Sequence, residues 1–267
     1  MTKISLLGCG WLGLPLAKTL IEEGYSVNGS TTSEDKLSIL KNTGIIPFQI
    51  ALDADSIQGN IIGFLENSNL LIIDIPPKLR SENSANFVKK IQSLIPFIEN
   101  SAIAKVLFIS STSVYADDNS VVTEHTIPNP DTESGRQLCE AESLLQQNKN
   151  FKTTILRFGG LIGEDRHPIK HLAGKTNLEN PKAPINLIHQ KDCIGIILKI
   201  IETNSWNETF NAVASFHPSR ETHYTEKAAG LGLPLPQFSH QKISVGKVID
   251  SQKLQNILNY TFIMPEL

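Results

Sequence analysis

The chain has 267 residues, a formal net charge of −3, and a composition of 40% hydrophobic and 19% charged residues. This length can bury a full core and suits one α/β domain with a smaller appended region. The charge creates no global field that would attract nucleic acid, and no window is apolar over the length of a membrane span. We therefore expect neither a nucleic-acid partner nor a membrane, and any bound anion must be held locally.

The three cysteines, Cys9, Cys139 and Cys193, are far apart and lack the C-x-x-C spacing of redox or zinc sites. We expect neither a disulfide framework nor a metal site. A reducing cytoplasm is the compartment that fits best.

The first thirty residues have the layout of a dinucleotide-binding unit. An apolar run typical of a buried strand (residues 3–7) precedes a G-x-G-x-x-G turn, and helical periodicity follows over residues 14–23. The first glycine lets the chain leave the strand sharply, the second leaves no Cβ beside a pyrophosphate, and the third lets the helix lie close to the sheet. The helix N-terminus would then face the phosphates. The predicted contact residues of this turn are Gly8, Gly10, Trp11, Leu12 and Gly13.

The end of the second predicted strand, residues 25–29, indicates which dinucleotide is bound. An acidic residue there would bind the ribose of NAD and repel the extra phosphate of NADP. Three hydroxyl side chains stand there instead: Ser30, Thr31 and Thr32. With Lys36 nearby, we expect NADP, with NAD as the alternative. Ser33 would also cap the next helix, and both interpretations can hold together.

Further apolar runs continue a β-α-β-α alternation, with strands over residues 45–52, 70–75 and 104–109 and a helix over 87–98. The alternation predicts a parallel sheet with right-handed crossovers. Because the carboxyl ends of such strands line the cofactor crevice, residues that follow two of them are assigned to the cofactor site. They are Leu52, Asp53, Ile75, Pro76 and Pro77.

Three ordered motifs then carry a family resemblance: FISSTSVY at 108–115, ILRFGGLIG at 155–163 and INLIHQKD at 185–192. They resemble the extended short-chain dehydrogenase/reductase family of NAD-dependent epimerases and dehydratases. Three further segments look most like its atypical YeeZ-like branch: SGRQ at 134–137, DRHP at 165–168 and HPSR at 217–220. The resemblance implies an α/β fold with a Rossmann-type doubly wound parallel sheet. It implies a cofactor domain over residues 1–160 and a small C-terminal substrate lobe over 161–267, with some segments returning to the first domain. The added cofactor residues are Ser110, Phe158, Gly159 and Gly160.

The chain departs from the family at two catalytic positions. In the family, a Tyr acts on the reacting oxygen, and a Lys four residues later lowers its pKa and holds the nicotinamide ribose. The aligned residues are Ser134 and Leu138, which are, respectively, a far weaker acid and uncharged. Ser111 aligns with the Ser/Thr that hydrogen-bonds the substrate oxygen, although it could equally cap a local turn. Tyr115 is a candidate substitute acid, with packing beside the crevice as the alternative.

Basic and potentially basic side chains cluster beyond Gly163. An anionic substrate would explain them, because Arg binds anionic oxygens in bidentate fashion, whereas a solvated loop is the alternative. Arg220 has the same ambiguity, or it lies in a helix over 219–229. The candidate substrate-binding residues are Arg166, His167, His171 and Arg220.

The remaining sequence predicts a helix over residues 192–201, a strand over 209–213 and a last helix over 247–258.

The leading function is an NAD(P)-dependent oxidoreductase of the epimerase/dehydratase type, acting on a small anionic substrate such as a nucleotide sugar. The alternative is a dinucleotide-binding module that has lost catalysis and senses redox state or binds a partner. The resemblance also implies a homodimer through helices over 83–98 and 134–146.

Overall fold

A computed structural model of the chain describes residues 2–77 and 86–266. The strands in chain order are β1 (Lys3–Leu7), β2 (Ser26–Thr31), β3 (Ile46–Gln49), β4 (Ala51–Leu52), β5 (Ile57–Gln58), β6 (Leu70–Ile73), β7 (Lys105–Ser111), β8 (Val121–Val122), β9 (Lys152–Phe158), β10 (Gly160–Ile162), β11 (Leu187–His189), β12 (Thr209–Ala212) and β13 (Val248–Ile249). The helices are α1 (Gly13–Glu22), α2 (Asp35–Asn42), α3 (Ile61–Leu65), α4 (Phe87–Glu99), α5 (Glu133–Gln147), α6 (Ile169–Leu172), α7 (Gln190–Thr203), α8 (Arg220–Gly230) and α9 (Gln252–Leu258).

A seven-stranded parallel sheet runs through the structure in the order β12-β9-β7-β6-β1-β2-β3. The chain builds outward from β1 through β2 to β3, and then returns to the other side of β1 with β6. This reversal defines the point between β1 and β6 at which doubly wound sheets bind ligands. The predicted Rossmann-type α/β fold is confirmed.

Apolar helix faces cover both sides of the sheet. On one side, α1 packs against β1 and α7 packs against α1, and buried residues such as Leu16 and Ile196 belong to the apolar cluster on this side. On the other side, α4 and α5 pack together over β7 through residues such as Ile91 and Leu145. The strands between these layers are buried on both faces, which is why residues 70–73 form an uninterrupted apolar run.

Two predicted elements differ from the structure. The strand expected over 45–52 ends at Gln49, because β4 leaves the sheet and pairs antiparallel with β5 in a hairpin closed by Asp53 N–H and the Ser56 carbonyl. The helix expected from residue 247 begins at Gln252, because β13 pairs with β8 first. Short apolar runs have no periodicity that separates these alternatives.

The C-terminal part of the chain is divided between two places. β12 completes the parallel sheet beside β9, and α7 packs against α1. A third, smaller apolar cluster is separate from the two that cover the sheet. It joins the segment around α6 to α8 through residues such as Ile169 and Tyr224. The helices expected at a dimer interface, α4 and α5, pack against each other, and residues 83–85 of that prediction lie outside the described residues. Within the described ranges, no helix combines the length and apolarity needed to cross a bilayer.

Candidate functional site

A crevice of about 540 Å³ opens at the carboxyl ends of the strands, where the strand order reverses. Most of the predicted cofactor residues line it: Gly8, Gly10, Trp11, Leu12, Ser30, Thr31, Thr32, Leu52, Ile75, Pro76, Pro77 and Ser110. Ser111 and Arg166, expected at the substrate, line the same crevice. The fold therefore brings the G-x-G-x-x-G turn and the end of β7 to one cavity.

The three glycines of the turn have different reasons to be glycine. Gly8 has a φ of 111°, and a Cβ on it would lie 2.2 Å from the Asp74 carbonyl oxygen. A Cβ on Gly13 would lie 2.0 Å from the Gly8 carbonyl oxygen, whereas a Cβ on Gly10 would meet no atom within 4 Å. The fold itself requires the first and third glycines. The fold does not require glycine at position 10, which lies in the crevice lining.

Ser30 holds the glycine turn in place. Its hydroxyl oxygen accepts from the Gly8 N–H at 2.9 Å, and its carbonyl accepts from the Cys9 N–H at 2.7 Å. Thr31 is also buried, and its hydroxyl accepts from the Ser33 N–H. Of the three hydroxyl side chains at the end of β2, the exposed one is Thr32. Lys36 on α2 lines the crevice beside it.

Four predicted cofactor residues besides Gly13 are absent from the crevice lining: Asp53, Phe158, Gly159 and Gly160. Asp53 closes the β4–β5 hairpin through its backbone. A Cβ on either Gly159 or Gly160 would approach atoms of residues 186–187 at 2.6 Å, so both glycines allow close packing against the segment that leads into β11. Glycine is therefore needed at these two positions for the packing of the strands.

Asp74, which the sequence analysis did not single out, lines the crevice directly after β6. Its Oδ2 lies against Gly13, 3.1 Å from the position of a Cβ there. Burial raises the pKa of Asp74 from 3.8 to about 8, and a hydrogen bond from the Gly13 N–H opposes this shift. The neutral acid therefore predominates at pH 7. In the sequence, the signal that could have identified this residue is a carboxylate directly after the four apolar residues of β6.

Ser111 ends β7 at the crevice, and its hydroxyl oxygen accepts from the Ser113 N–H at 3.1 Å. It therefore caps the following 3-10 turn and also faces the cavity, so that both interpretations of this residue remain compatible. Its neighbour Ser110 donates instead to the buried carboxylate of Glu142.

The Tyr115 hydroxyl lies in a buried polar network away from the crevice. The side chain is 2% exposed and is absent from the crevice lining. Its hydroxyl accepts from the Arg157 guanidinium and donates to Asn211 Oδ1 at 3.1 Å. Burial raises its pKa. This geometry favours the packing alternative for Tyr115 over the role of substitute acid, because the hydroxyl proton is directed at a buried acceptor.

The two positions that the resemblance aligns with the family's Tyr and Lys lie on α5. Leu138 is buried and lines the crevice, and Ser134 lies in the first turn of the helix. The helix contains neither Tyr nor Lys. Lys90 on α4 lines the crevice, which makes it one of three cationic side chains in the described lining, with Lys36 and Arg166.

The four candidate substrate residues do not converge. Arg166 lies in the crevice, while His167 stacks on His223 with ring centroids 5.5 Å apart. Burial lowers the pKa of both histidines to about 4, so they are neutral at pH 7. Arg220 donates to the Glu179 carbonyl, and His171 is exposed on α6. In the described ranges, no three His, Cys, Asp or Glu side chains are placed to hold a metal ion.

Comparisons with known proteins agree with this architecture. The chain is 33% identical to protein YeeZ of Escherichia coli K12, over 100% of this chain and 97% of that protein. No protein-family model matches the chain.

Two solved structures share the fold. UDP-glucuronic acid 4-epimerase from Bacillus cereus, in complex with NAD, is 18% identical and superposes with a TM-score of 0.83 over 100% of this chain and 92% of that one. UDP-glucose 4-epimerase from Thermotoga maritima, with UDP-glucose, is 15% identical, with a TM-score of 0.79 over 98% and 94% of the two chains. Because the YeeZ relative spans the whole chain at this identity, the chain belongs to the YeeZ family, within the fold of the short-chain dehydrogenase/reductase epimerases.

Proposed function

We propose that the chain is an NAD(P)-dependent oxidoreductase of the epimerase/dehydratase type that acts on a small anionic substrate such as a nucleotide sugar. The observation that carries the proposal is the open side of Gly10 in the crevice. The folded chain does not need glycine there, whereas a diphosphate lying against the backbone does. The N–H groups of Trp11 and Leu12 follow at once and have no acceptor among the described residues, so they can donate to phosphate oxygens.

The crevice walls suit the rest of a dinucleotide. Leu52 and Ile75 offer apolar contacts to a base at one end, and Ile109 and Leu138 exclude water at the other. The bound nicotinamide supplies hydride transfer. Ser111 faces this end and is the residue that we assign to a hydrogen bond with the reacting oxygen of the substrate.

NADP is the proposed cofactor, with NAD as the alternative. Its support is the exposed Thr32 hydroxyl and the nearby Lys36, with no carboxylate at the end of β2 to repel a 2′-phosphate. The B. cereus relative of this fold is a complex with NAD, which favours the alternative. The UDP-glucose of the T. maritima relative supports a nucleotide sugar as the substrate class.

A specific observation favours a second function, a dinucleotide-binding module without catalysis. Helix α5 has neither Tyr nor Lys, and the Tyr115 hydroxyl is bound inside the protein. In that case, the crevice would sense the redox state of the nicotinamide or control binding of a partner. The proton path of an enzyme would have to use Ser111 and water.

The test begins with calorimetric titration of cofactor-stripped protein with NADP, NADPH, NAD and NADH. Saturable binding of one oxidised and reduced pair supports the site, and no binding of any refutes it. The loaded protein is then incubated with UDP-glucose and UDP-glucuronic acid, with chromatography of the sugars and absorbance of the reduced nicotinamide as readouts. Tight binding without conversion across a wider nucleotide-sugar panel favours the sensing module.

We also propose a cytoplasmic protein and a homodimer through α4 and α5. Support for the first is that Cys9, Cys139 and Cys193 are free thiols. The second rests on the family resemblance, and α4 and α5 lie side by side as two helices of one interface would have to. Light scattering gives the mass in solution, and a monomer at micromolar concentration would refute the dimer.

A further inference from the structure

We propose that Arg166 binds the diphosphate of the dinucleotide, and that the turn from Gly163 to Arg166 clasps the glycine turn to hold it there. This inference rests on the proposed function, because it concerns the same crevice. It moves Arg166 from the substrate, where the sequence placed it, to the cofactor.

The turn from Gly163 to Arg166 is closed on itself. The Gly163 N–H donates to the Arg166 carbonyl at 2.8 Å, and the Arg166 N–H donates back to the Gly163 carbonyl at 3.2 Å. This reciprocal pair fixes Asp165 and Arg166 relative to the end of β10. The side chains of the turn are therefore presented from a defined backbone.

The turn is docked on Trp11, the residue that follows the second glycine of the G-x-G-x-x-G motif. The Trp11 indole N–H donates to Asp165 Oδ1 at 2.8 Å. A Cβ on Gly163 would lie 2.8 Å from the indole ring, so glycine is what lets the ring pack there. The Trp11 carbonyl accepts from the Gln190 side chain at 2.8 Å, which ties the same residue to the start of α7. Trp11 thus links the phosphate-binding turn to the C-terminal part of the chain.

Arg166 stacks on the indole ring of the same tryptophan, Trp11. Its guanidinium carbon lies 4.9 Å from the Trp11 ring centroid, and the side chain lines the crevice. A guanidinium stacked on an aromatic ring keeps its in-plane N–H groups available for bidentate bonds to anionic oxygens. The neighbouring N–H groups of Trp11 and Leu12 would donate to the same diphosphate.

The other described arginines are already engaged. Arg136 pairs with Glu133, Arg157 pairs with Glu142, and Arg220 donates to a backbone carbonyl. In the described part of the chain, no carboxylate lies within ion-pair distance of Arg166. This cation is therefore available to a ligand.

A diphosphate could also come from a nucleotide-sugar substrate. We assign Arg166 to the dinucleotide because its stacking partner belongs to the glycine turn itself, at the start of α1, where a dinucleotide places its diphosphate. Lys36 lies at the end of β2, and Lys90 lies on α4, so neither cation is attached to the glycine turn.

The two tryptophans of the chain allow a direct test. Trp206 lies outside the crevice lining, where its indole donates to Asn204, so the Trp206→Phe variant leaves Trp11 as the sole indole reporter. In this background, NADP and NAD are titrated with fluorescence and calorimetry against Arg166→Gln, Arg166→Lys and Asp165→Asn. The matched control is Arg136→Gln, which removes the same charge from an exposed site on α5.

We expect Arg166→Gln to weaken dinucleotide binding at least tenfold and to reduce its dependence on salt. Arg166→Lys should recover part of the loss. Asp165→Asn should weaken binding less and shift the Trp11 emission before any ligand is added, which a role confined to overall stability would not do. UDP-glucose affinity should be unchanged in Arg166→Gln, and Arg136→Gln should match the parent.

The outcomes separate this inference from the function on which it rests. A parent protein that binds no dinucleotide overturns both. A parent that binds, with Arg166→Gln binding dinucleotides equally well, overturns the inference alone. If Arg166→Gln instead loses only UDP-glucose affinity, then Arg166 belongs to the substrate. Thermal unfolding by circular dichroism identifies any variant that fails to fold, and Arg166→Lys then serves as the test.

Discussion

The guanidinium of Arg157 forms an ion pair with the carboxylate of Glu142 beneath the crevice, and the two side chains are only 7% and 3% exposed. Arg157 Nε lies 3.1 and 3.2 Å from the two carboxylate oxygens. Ser110 donates to the same carboxylate, and Arg157 also donates to the Tyr115 hydroxyl. The pair therefore fastens β7, β9 and α5 together directly under the end of the sheet that carries Ser111.

Replacing Glu142 with Gln should destabilise the fold strongly. The variant leaves the Arg157 charge buried without a counter-charge, and breaking a buried pair in this way costs about 3–5 kcal/mol. Urea unfolding gives the free energy difference, with Glu140→Gln on the exposed face of the same helix as the matched control. A double variant with Arg157→Met should recover much of the loss. A single variant as stable as Glu140→Gln would show that the ion pair contributes little to the stability of the fold.

Tyr115→Phe and Ser111→Ala should affect the protein in opposite ways. The first removes a hydroxyl from a buried network, so it should cost roughly 1–2 kcal/mol of stability and leave turnover of the loaded protein nearly unchanged. The second removes the hydroxyl that faces the crevice, so it should lower turnover more than stability, with Ser111→Thr restoring both. A large drop in turnover with Tyr115→Phe at full stability would return the catalytic role to Tyr115.

The sequence predicted the fold and most of the crevice for one physical reason. A parallel sheet needs strands that are apolar on both faces, and its ligand site follows the carboxyl ends of those strands, so residues 70–73 and the glycine turn specify both. Side-chain direction is not encoded in that pattern. Tyr115 and His167 have the chemistry of active-site residues, yet the turns that follow β7 and β10 direct Tyr115 into a buried network and stack His167 on the buried His223. Asp74 was missed because its raised pKa comes from burial, which appears only in three dimensions.

Gly10→Val should abolish dinucleotide binding without unfolding the protein. A Cβ at Gly10 would meet no atom of the folded chain within 4 Å, so we expect the bulk of valine to fall in the space of the diphosphate. Gly13→Ala is the informative contrast, since its Cβ would lie 2.0 Å from the Gly8 carbonyl oxygen and should lower the melting temperature sharply. Calorimetric titration and thermal melts of both variants test this division. Unchanged affinity in Gly10→Val would remove the dinucleotide from the crevice.

Thr32→Asp should shift cofactor preference from NADP towards NAD. A carboxylate at this exposed position beside Lys36 would repel a 2′-phosphate and accept from ribose hydroxyls, and a tenfold change in the affinity ratio corresponds to about 1.4 kcal/mol. The substitution is made at Thr32 and not at Thr31, because the Thr31 hydroxyl accepts a hydrogen bond from the Ser33 N–H and so supports the turn. Lys36→Gln should weaken NADP alone, and Lys41→Gln on the exposed face of the same helix is the control. An unchanged NADP/NAD ratio would place the adenosine ribose elsewhere.

Asp74→Asn should remove a pH dependence that we expect in both the stability and the cofactor affinity of the wild-type protein. The folded protein keeps the Asp74 proton between its ordinary pKa of 3.8 and the raised value of about 8, a range in which the unfolded chain has lost it. The folded state therefore binds more protons, so wild-type stability should fall as pH rises through this window and level off above pH 8.

The same ionisation should act on the cofactor. Above pH 8, a carboxylate charge appears beside the glycine turn and repels the diphosphate, while the Cys9 thiol stays neutral because its pKa is raised to about 12. Wild-type affinity for NADP should thus decline towards tenfold per pH unit above pH 8, and Asp74→Asn should bind equally at pH 7 and 9. Asp53→Asn, outside the crevice lining, should retain the wild-type profile, whereas a profile shared by all three proteins would assign the titration to another group.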